Sequence, residues 1–249
     1  MQGALSGWLV GIAPVLALAQ AGPPLLTDDP GTPGDRNWEI NVAATADHRP
    51  GAGTYETPLL DINYGVGEHI QLKYEVPYLF ENSEDGARHG LGNSLFGVKW
   101  RFHDDVQSGF SLSTYPQLEL NNPTNSFRRG LVDEGPRLLL PVEINREFGS
   151  VNLGMEAGRR FSRYANEETI LGVAATRQFT PALELLAEIY NAWDQGEGRA
   201  STLDLGGRYA LRPGTLLLFM LGHSIASLSD TLQPQWIGYL GIQFQVEGR

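Results

Sequence analysis

The chain has no cysteine among its 249 residues. This excludes disulfides, thiolate metal sites, a cysteine nucleophile and a lipidated-cysteine anchor. Basic residues are scarce too: 18 Lys and Arg stand against 29 Asp and Glu, a formal net charge of −11. Nucleic acid is therefore not an expected partner, because phosphates demand a basic footprint. Past the N-terminus no apolar run approaches the roughly 18 residues that a membrane helix needs. Chemistry-bearing motifs are also missing. The five histidines (His48, His69, His89, His103 and His223) are scattered, and neither G-x-S-x-G nor H-E-x-x-H occurs. Only His223-Ser224 sets a serine beside a histidine, and neighbours on a strand point to opposite faces. No catalytic residue, metal or cofactor is expected, and a hydrolase is the weakest of the alternatives.

What the chain does contain is a repeated unit. Thirty glycines and fifteen prolines punctuate stretches of about ten residues in which apolar and polar side chains alternate. The first carries Trp38, Ile40, Val42, Ala44 and Ala46 on one face and Glu39, Asn41 and Thr45 on the other. A period of two describes a strand with one greasy and one wet side. Eleven more units follow, near Leu59–Val66, Glu68–Tyr78, Ser94–His103, Gly109–Leu120, Arg137–Arg146, Ser150–Arg160, Thr169–Phe179, Ala182–Trp193, Ser201–Leu211, Thr215–His223 and Gln235–Val246. With no helical interlude, the pattern predicts an all-β fold: one closed antiparallel transmembrane barrel of about 12 strands, greasy outside and wet inside.

Breaks and aromatics support a membrane orientation. Long breaks (His48–Glu56, Glu81–Gly92, Asn121–Gly135, Phe161–Glu168, Asp194–Ala200, Ser224–Pro234) alternate with short ones at Gly67, Asp104–Val106, Phe148-Gly149, Thr180-Pro181 and Arg212–Gly214. Barrels of outer membranes pair long outer loops with short periplasmic turns. Trp38, Trp100, Phe102, Phe110, Phe179, Tyr209 and Phe244 fall at the expected periplasmic rim. Tyr78, Phe80, Phe161, Tyr190, Trp193 and Trp236 fall at the outer one, as interfacial aromatics should. Residues 37–246 are thus expected to form the barrel. Residues 1–21 read as a signal peptide, with an apolar core at Trp8–Leu18 and the small-x-small triplets Ala17-Leu18-Ala19 and Ala19-Gln20-Ala21. The basic residues usual before such a core are absent from Met1–Gly7, and a buried N-terminal helix is the alternative. The expected location is the outer membrane of a Gram-negative bacterium. Its expected partners are membrane lipid and lipopolysaccharide, the barrel-insertion machinery and a small-molecule solute.

The wet face supplies the candidate lumen-lining residues: Glu39, Asp61, Lys73, Glu75, Lys99, Arg101, Glu119, Arg137, Glu143, Glu184, Glu188, Asp204 and Arg208, with Glu156 beside them. Acids outnumber bases, which disfavours anionic cargo and favours neutral or cationic solutes. Lys99 and Arg101 are placed to pair across strands with Glu75 and Glu119. Such pairs fill a narrow barrel as a plug and line a wider one as a pore. Arg128-Arg129 and Arg159-Arg160 with Arg163 sit on or near outer loops. They read either as lipopolysaccharide contacts or as solvated charge.

Residues 22–36 are too rich in Pro and Gly for a central strand and read as an extended periplasmic segment. Within it, Thr27-Asp28-Asp29-Pro30-Gly31-Thr32 is a turn signal in which Asp side chains cap backbone amides. Two arrangements are open: the segment tucks into the barrel mouth with its carboxylates on inward bases, or it is a tether ordered only at the first strand. This stretch, with Asn37-Trp38-Glu39-Ile40-Asn41 shortly after it, resembles the opening of the outer-membrane family called "putative MetA-pathway of phenol degradation". The resemblance implies a transporter-like barrel for small neutral or apolar solutes, aromatic ones included. A closed structural or adhesin-like barrel is the alternative.

Overall fold

The computed structural model describes residues 22–84, 86–195, 198–227 and 235–248. The expected signal peptide lies outside them. Fourteen strand segments follow in order: β1 Trp38–Arg49, β2 Ala52–Val66, β3 Ile70–Ser83, β4 Gly86–Leu91, β5 Ser94–Asp105, β6 Phe110–Thr114, β7 Gln117–Leu120, β8 Arg137–Phe148, β9 Val151–Ser162, β10 Glu168–Thr180, β11 Leu183–Asp194, β12 Gly198–Arg212, β13 Thr215–Ser227 and β14 Trp236–Val246. They form twelve staves. β4 and β5 both pair with β3, interrupted at Gly92-Asn93, and β6 and β7 both bridge β5 and β8, interrupted at Tyr115-Pro116. Proline lacks the N–H that a ladder needs, so a break there is expected. Every pairing is antiparallel, and β1 pairs with β14 from Trp38↔Val246 to His48↔Trp236, which closes the barrel without an edge.

Burial is inverted relative to a soluble barrel. Outward Val98, Leu205 and Leu240 are 50%, 59% and 58% exposed, whereas inward Lys99 and Asp204 are 2% and 0% exposed. The apolar side chains thus form an outer belt and the charges form the core. Trp38, Trp100, Phe102, Phe179 and Tyr209 are exposed at the short-turn rim, and Phe80, Phe161 and Trp236 at the loop rim. Tyr190 is the exception: it shares the inward parity of Glu184 and Glu188 on β11 and lines an internal cavity.

Three of the expected long loops are largely strand among the described residues, one of them Asp194–Ala200, where β11 ends at Asp194 and β12 begins at Gly198. His48–Glu56 belongs to a hairpin that reverses at 50–51, where Gly51 has φ 80°. The ladder therefore continues through Asp47↔Thr54 and Thr45↔Glu56. Most of Glu81–Gly92 is the β3–β4 hairpin. Residues 224–227 continue β13, and 228–234 lie outside the described residues. The break at 121–135 is a true loop carrying a single 3-10 turn, Phe127–Arg129.

Candidate functional site

Residues 22–34 lie inside the barrel, with Asp35 and Arg36 exposed at its short-turn rim, and the wet face is built to receive them. The segment passes the short-turn rim with the Arg36 N–H donating to Gly65 O at 2.9 Å and the Thr32 hydroxyl to Glu68 O at 2.9 Å. Here Gly34 packs on inward Gly65, where any Cβ would collide with the Gly34 carbonyl. Asp29 Oδ1 then accepts the Gly31 N–H at 2.7 Å, the expected Asx turn, and the Asp29 N–H donates to Asp28 Oδ1 at 2.8 Å. At mid-barrel Lys99 Nζ meets Asp28 Oδ1 at 2.6 Å and also donates to the Asp29 carbonyl.

Two wall carboxylates hold the backbone at the segment's crest. Glu188 accepts the Leu26 and Thr27 N–H groups at 2.7 and 2.8 Å, and Glu156 accepts the Asp28 N–H at 2.9 Å. Thr27 packs into a notch at Gly172 that a side chain would fill. The chain then turns back. Arg208, paired with Glu184 at 2.9 Å, donates to the Pro23 carbonyl at 3.0 Å and to the Gly22 carbonyl at 3.3 Å. Charge-assisted hydrogen bonds to main chain are the strong kind in a dry interior. They let acids and bases of the wall hold a segment with few side chains of its own to offer. Only about 20 Å³ of open space remains around Gly22, Asp28 and Asp29, roughly one water.

Burial disfavours the charged form of Asp28, but the Lys99 and Lys73 ammonium groups, the Lys99 hydrogen bond and the Asp29 N–H outweigh it. Together they hold this carboxyl below its ordinary value of 3.8.

The candidate lumen residues group around this segment. Asp61 accepts from Asn41 and Asn63, both at 3.1 Å, and meets Lys73 at 3.3 Å; Lys73 reaches Glu75 at 2.8 Å. Glu39 borders the same space and accepts from Asn41 at 3.4 Å. Glu143 stands 3.7 Å from Lys99 and accepts from Ser113. Asp204 is fully buried beside Thr202, 3.2 Å away. Three candidates lie away from the mid-barrel. Arg101 bonds Glu68 O and Asp104 at the short-turn rim, while Glu119 accepts from Asn93 and Arg137 meets Asp133 at the loop rim.

The expected pairs Lys99–Glu75 and Arg101–Glu119 do not form. Register sets Lys99 opposite Gln71 and Glu75 opposite Leu95, leaving Lys99 free to reach Asp28. Arg101 faces Ser113 on β6, whereas Glu119 lies on β7 beyond the break.

Above the crest, toward the loops, a vestibule of about 590 Å³ remains. Its floor is Pro24, Leu25 and Leu26, and Leu25 packs against Ala174, Leu186 and Met220, with Ile237 and Tyr239 alongside. The opposite wall bears Thr45, Glu56, Glu75 and Arg49. The sequence pattern set Tyr190 at the outer rim instead of here and did not single out Tyr239 or Met220. Their inward parity was the available signal. Tyr115, fully buried beneath the β6–β7 break, hydrogen-bonds Gln71 at 3.0 Å and was likewise not foreseen.

Arg160, in the vestibule wall, pairs with Glu168 at 3.0 Å, whereas outside the barrel Arg159 pairs with Glu167 at 2.5 Å and Arg129 donates to the His89 carbonyl at 2.9 Å. His223 stacks on Trp236, with ring centroids 4.3 Å apart.

Fold and interior together define a closed twelve-stave antiparallel β-barrel, apolar outside and charged inside, whose lumen holds a segment of its own chain. Among solved structures it is similar to the NanC porin, with 9% identity and a TM-score of 0.62 over 82% of this chain and 98% of that one. It is also similar to the KdgM porin, including a form in complex with disordered oligogalacturonate, with 10% identity and a TM-score of 0.57 over 83% and 98%. At such identity the likeness is one of fold. No family model and no curated protein matches the chain.

Proposed function

We propose that the protein is an outer-membrane channel of a Gram-negative bacterium for small neutral or apolar solutes, aromatic ones included, that the segment 22–36 keeps closed at rest. The observation that carries this reading is the vestibule, which opens toward the loops, has an apolar floor and ends on a segment rather than on a wall strand. Its volume of about 590 Å³ suits a small organic molecule. The floor stands outside the strand ladders and is held by wall side chains, so its release leaves the pairing of the barrel intact. In this reading residues 1–21 are a cleaved signal peptide, the short turns face the periplasm, and the belt meets lipid and lipopolysaccharide after delivery by the barrel-insertion machinery. The Thr27–Thr32 motif and its resemblance to the phenol-degradation family support an apolar cargo.

Planar-bilayer conductance tests the proposal. The intact barrel should conduct little, and a barrel lacking residues 22–33 should conduct steadily while keeping heat-modifiable gel mobility. A deleted barrel that folds and stays closed would sink the channel reading. It would favour a closed structural or adhesin-like barrel, for which the number of bonds on the segment is the supporting observation.

A further inference from the structure

The vestibule carries a charge imbalance that an apolar cargo alone leaves unexplained. Each of its bases is already taken: Arg49 by Asp47 at 3.2 Å, Lys73 by Asp61 and Glu75, and Arg160 by Glu168 at 3.0 Å. Two of its carboxylates, Glu56 and Glu156, have no ion pair among the described residues. Glu56 accepts only the Thr45 hydroxyl, at 2.9 Å, and Glu156 only the Asp28 N–H. One oxygen of each is thus left without a donor among the described residues. A carboxylate in a low-dielectric enclosure is costly until a cation or a further donor reaches it.

We infer that the vestibule binds a small organic cation, a protonated amine or quaternary ammonium joined to an apolar body. The ammonium would meet Glu56 or Glu156. The aromatic side chains of Tyr190 and Tyr239, which line the same space, add the surroundings in which cations are favoured. The body would lie on Leu25, Leu26 and Met220, apolar side chains that favour removing it from water. An anion of the same shape would face unpaired acids and find no free base. The inference rests on the vestibule being a solute site, and it adds a sign of charge to it.

Calorimetric titration of the full barrel in detergent tests this with three probes of one shape: 2-phenylethylammonium, 2-phenylethanol and 3-phenylpropanoate. The ammonium should bind at least about tenfold more tightly than the alcohol, and the carboxylate should not bind. Glu56→Gln or Glu156→Gln should weaken the ammonium about tenfold and leave the alcohol unchanged. The probe series on the unaltered protein stands even if a variant fails to fold. Equal binding of ammonium and alcohol, or ammonium binding indifferent to both substitutions, overturns the inference while the channel reading survives. Absence of binding by all three overturns it too. Only that result together with a silent segment-deleted barrel removes both readings.

Discussion

Lys99 is the residue on which the interior turns. It is 2% exposed, its ammonium touches Asp28 and the Asp29 carbonyl, and Glu143 stands behind it. Removing one partner of a buried ion pair leaves an uncompensated charge and costs about 3 kcal/mol or more. Lys99→Ala should therefore lower stability by about 3 kcal/mol in urea unfolding from lipid vesicles and free the segment. A variant as stable as the parent would show that the contact carries no energy.

Acid should do what the mutation does. A depressed carboxyl value in the folded state means that Asp28 contributes stability fully above its ordinary value of 3.8, and that this contribution fades as pH falls through the depressed value. Lys99, Lys73, Glu143 and Glu156 face it, and the lysines stay charged throughout this range. Hydrogen exchange at the amides of residues 26–28 should stay slow down to about pH 4 and rise below it. Fast exchange at pH 6 would contradict this balance. Most of this chemistry was half legible in sequence. Alternation marks Lys99 as inward, but its partner lies 71 residues away on a stretch with no periodicity to say where its side chains point.

At the scale of elements, the segment and the strands are fitted by subtraction as much as by contact. Gly65 and Gly172 are inward positions where a side chain would occupy the space of Gly34 and Thr27. In a strand pattern glycine marks a bulge or a close backbone approach. At these two positions it is the second, which a single sequence cannot separate from the first. Gly172→Val should expel the crest without disturbing the ladder to β9 and β11. The expected readout is protease cleavage within residues 22–33 of an otherwise folded barrel. If the segment stays protected, the notch is not what seats it. Strand length was misread for a related reason. Polar hairpin tips such as Gly53–Glu56 look like loop by composition, yet their backbone groups remain paired once Gly51 makes the reversal tight. The break at Pro116, by contrast, is local and falls within the single unit Gly109–Leu120, and neither it nor the one at Gly92 changes the count of staves.

At the scale of the whole molecule, two solvents are separated by one residue of phase. On β12, Leu205 is 59% exposed to the outside while its neighbour Asp204 is fully buried in the lumen. The same period of two serves both environments, which explains why the twelve-stave barrel could be read from sequence while the contents of the lumen could not. Alternation assigns a face to every strand residue, but it is silent on what fills the enclosed volume. The phase also makes opposite demands on a charge. Arginine at a lipid-facing midplane position costs about 2–4 kcal/mol in such barrels, whereas the lumen already holds paired acids and bases. Leu205→Arg should thus destabilise refolding into vesicles by about that amount, and Thr202→Arg, in the vestibule wall, by clearly less. Refolding in detergent micelles should shrink the first penalty, because a micelle lets the guanidinium reach water. Equal penalties at the two positions would mean that the outward belt does not face a hydrocarbon layer. The case for a membrane barrel would then have to rest on the closure of the sheet alone.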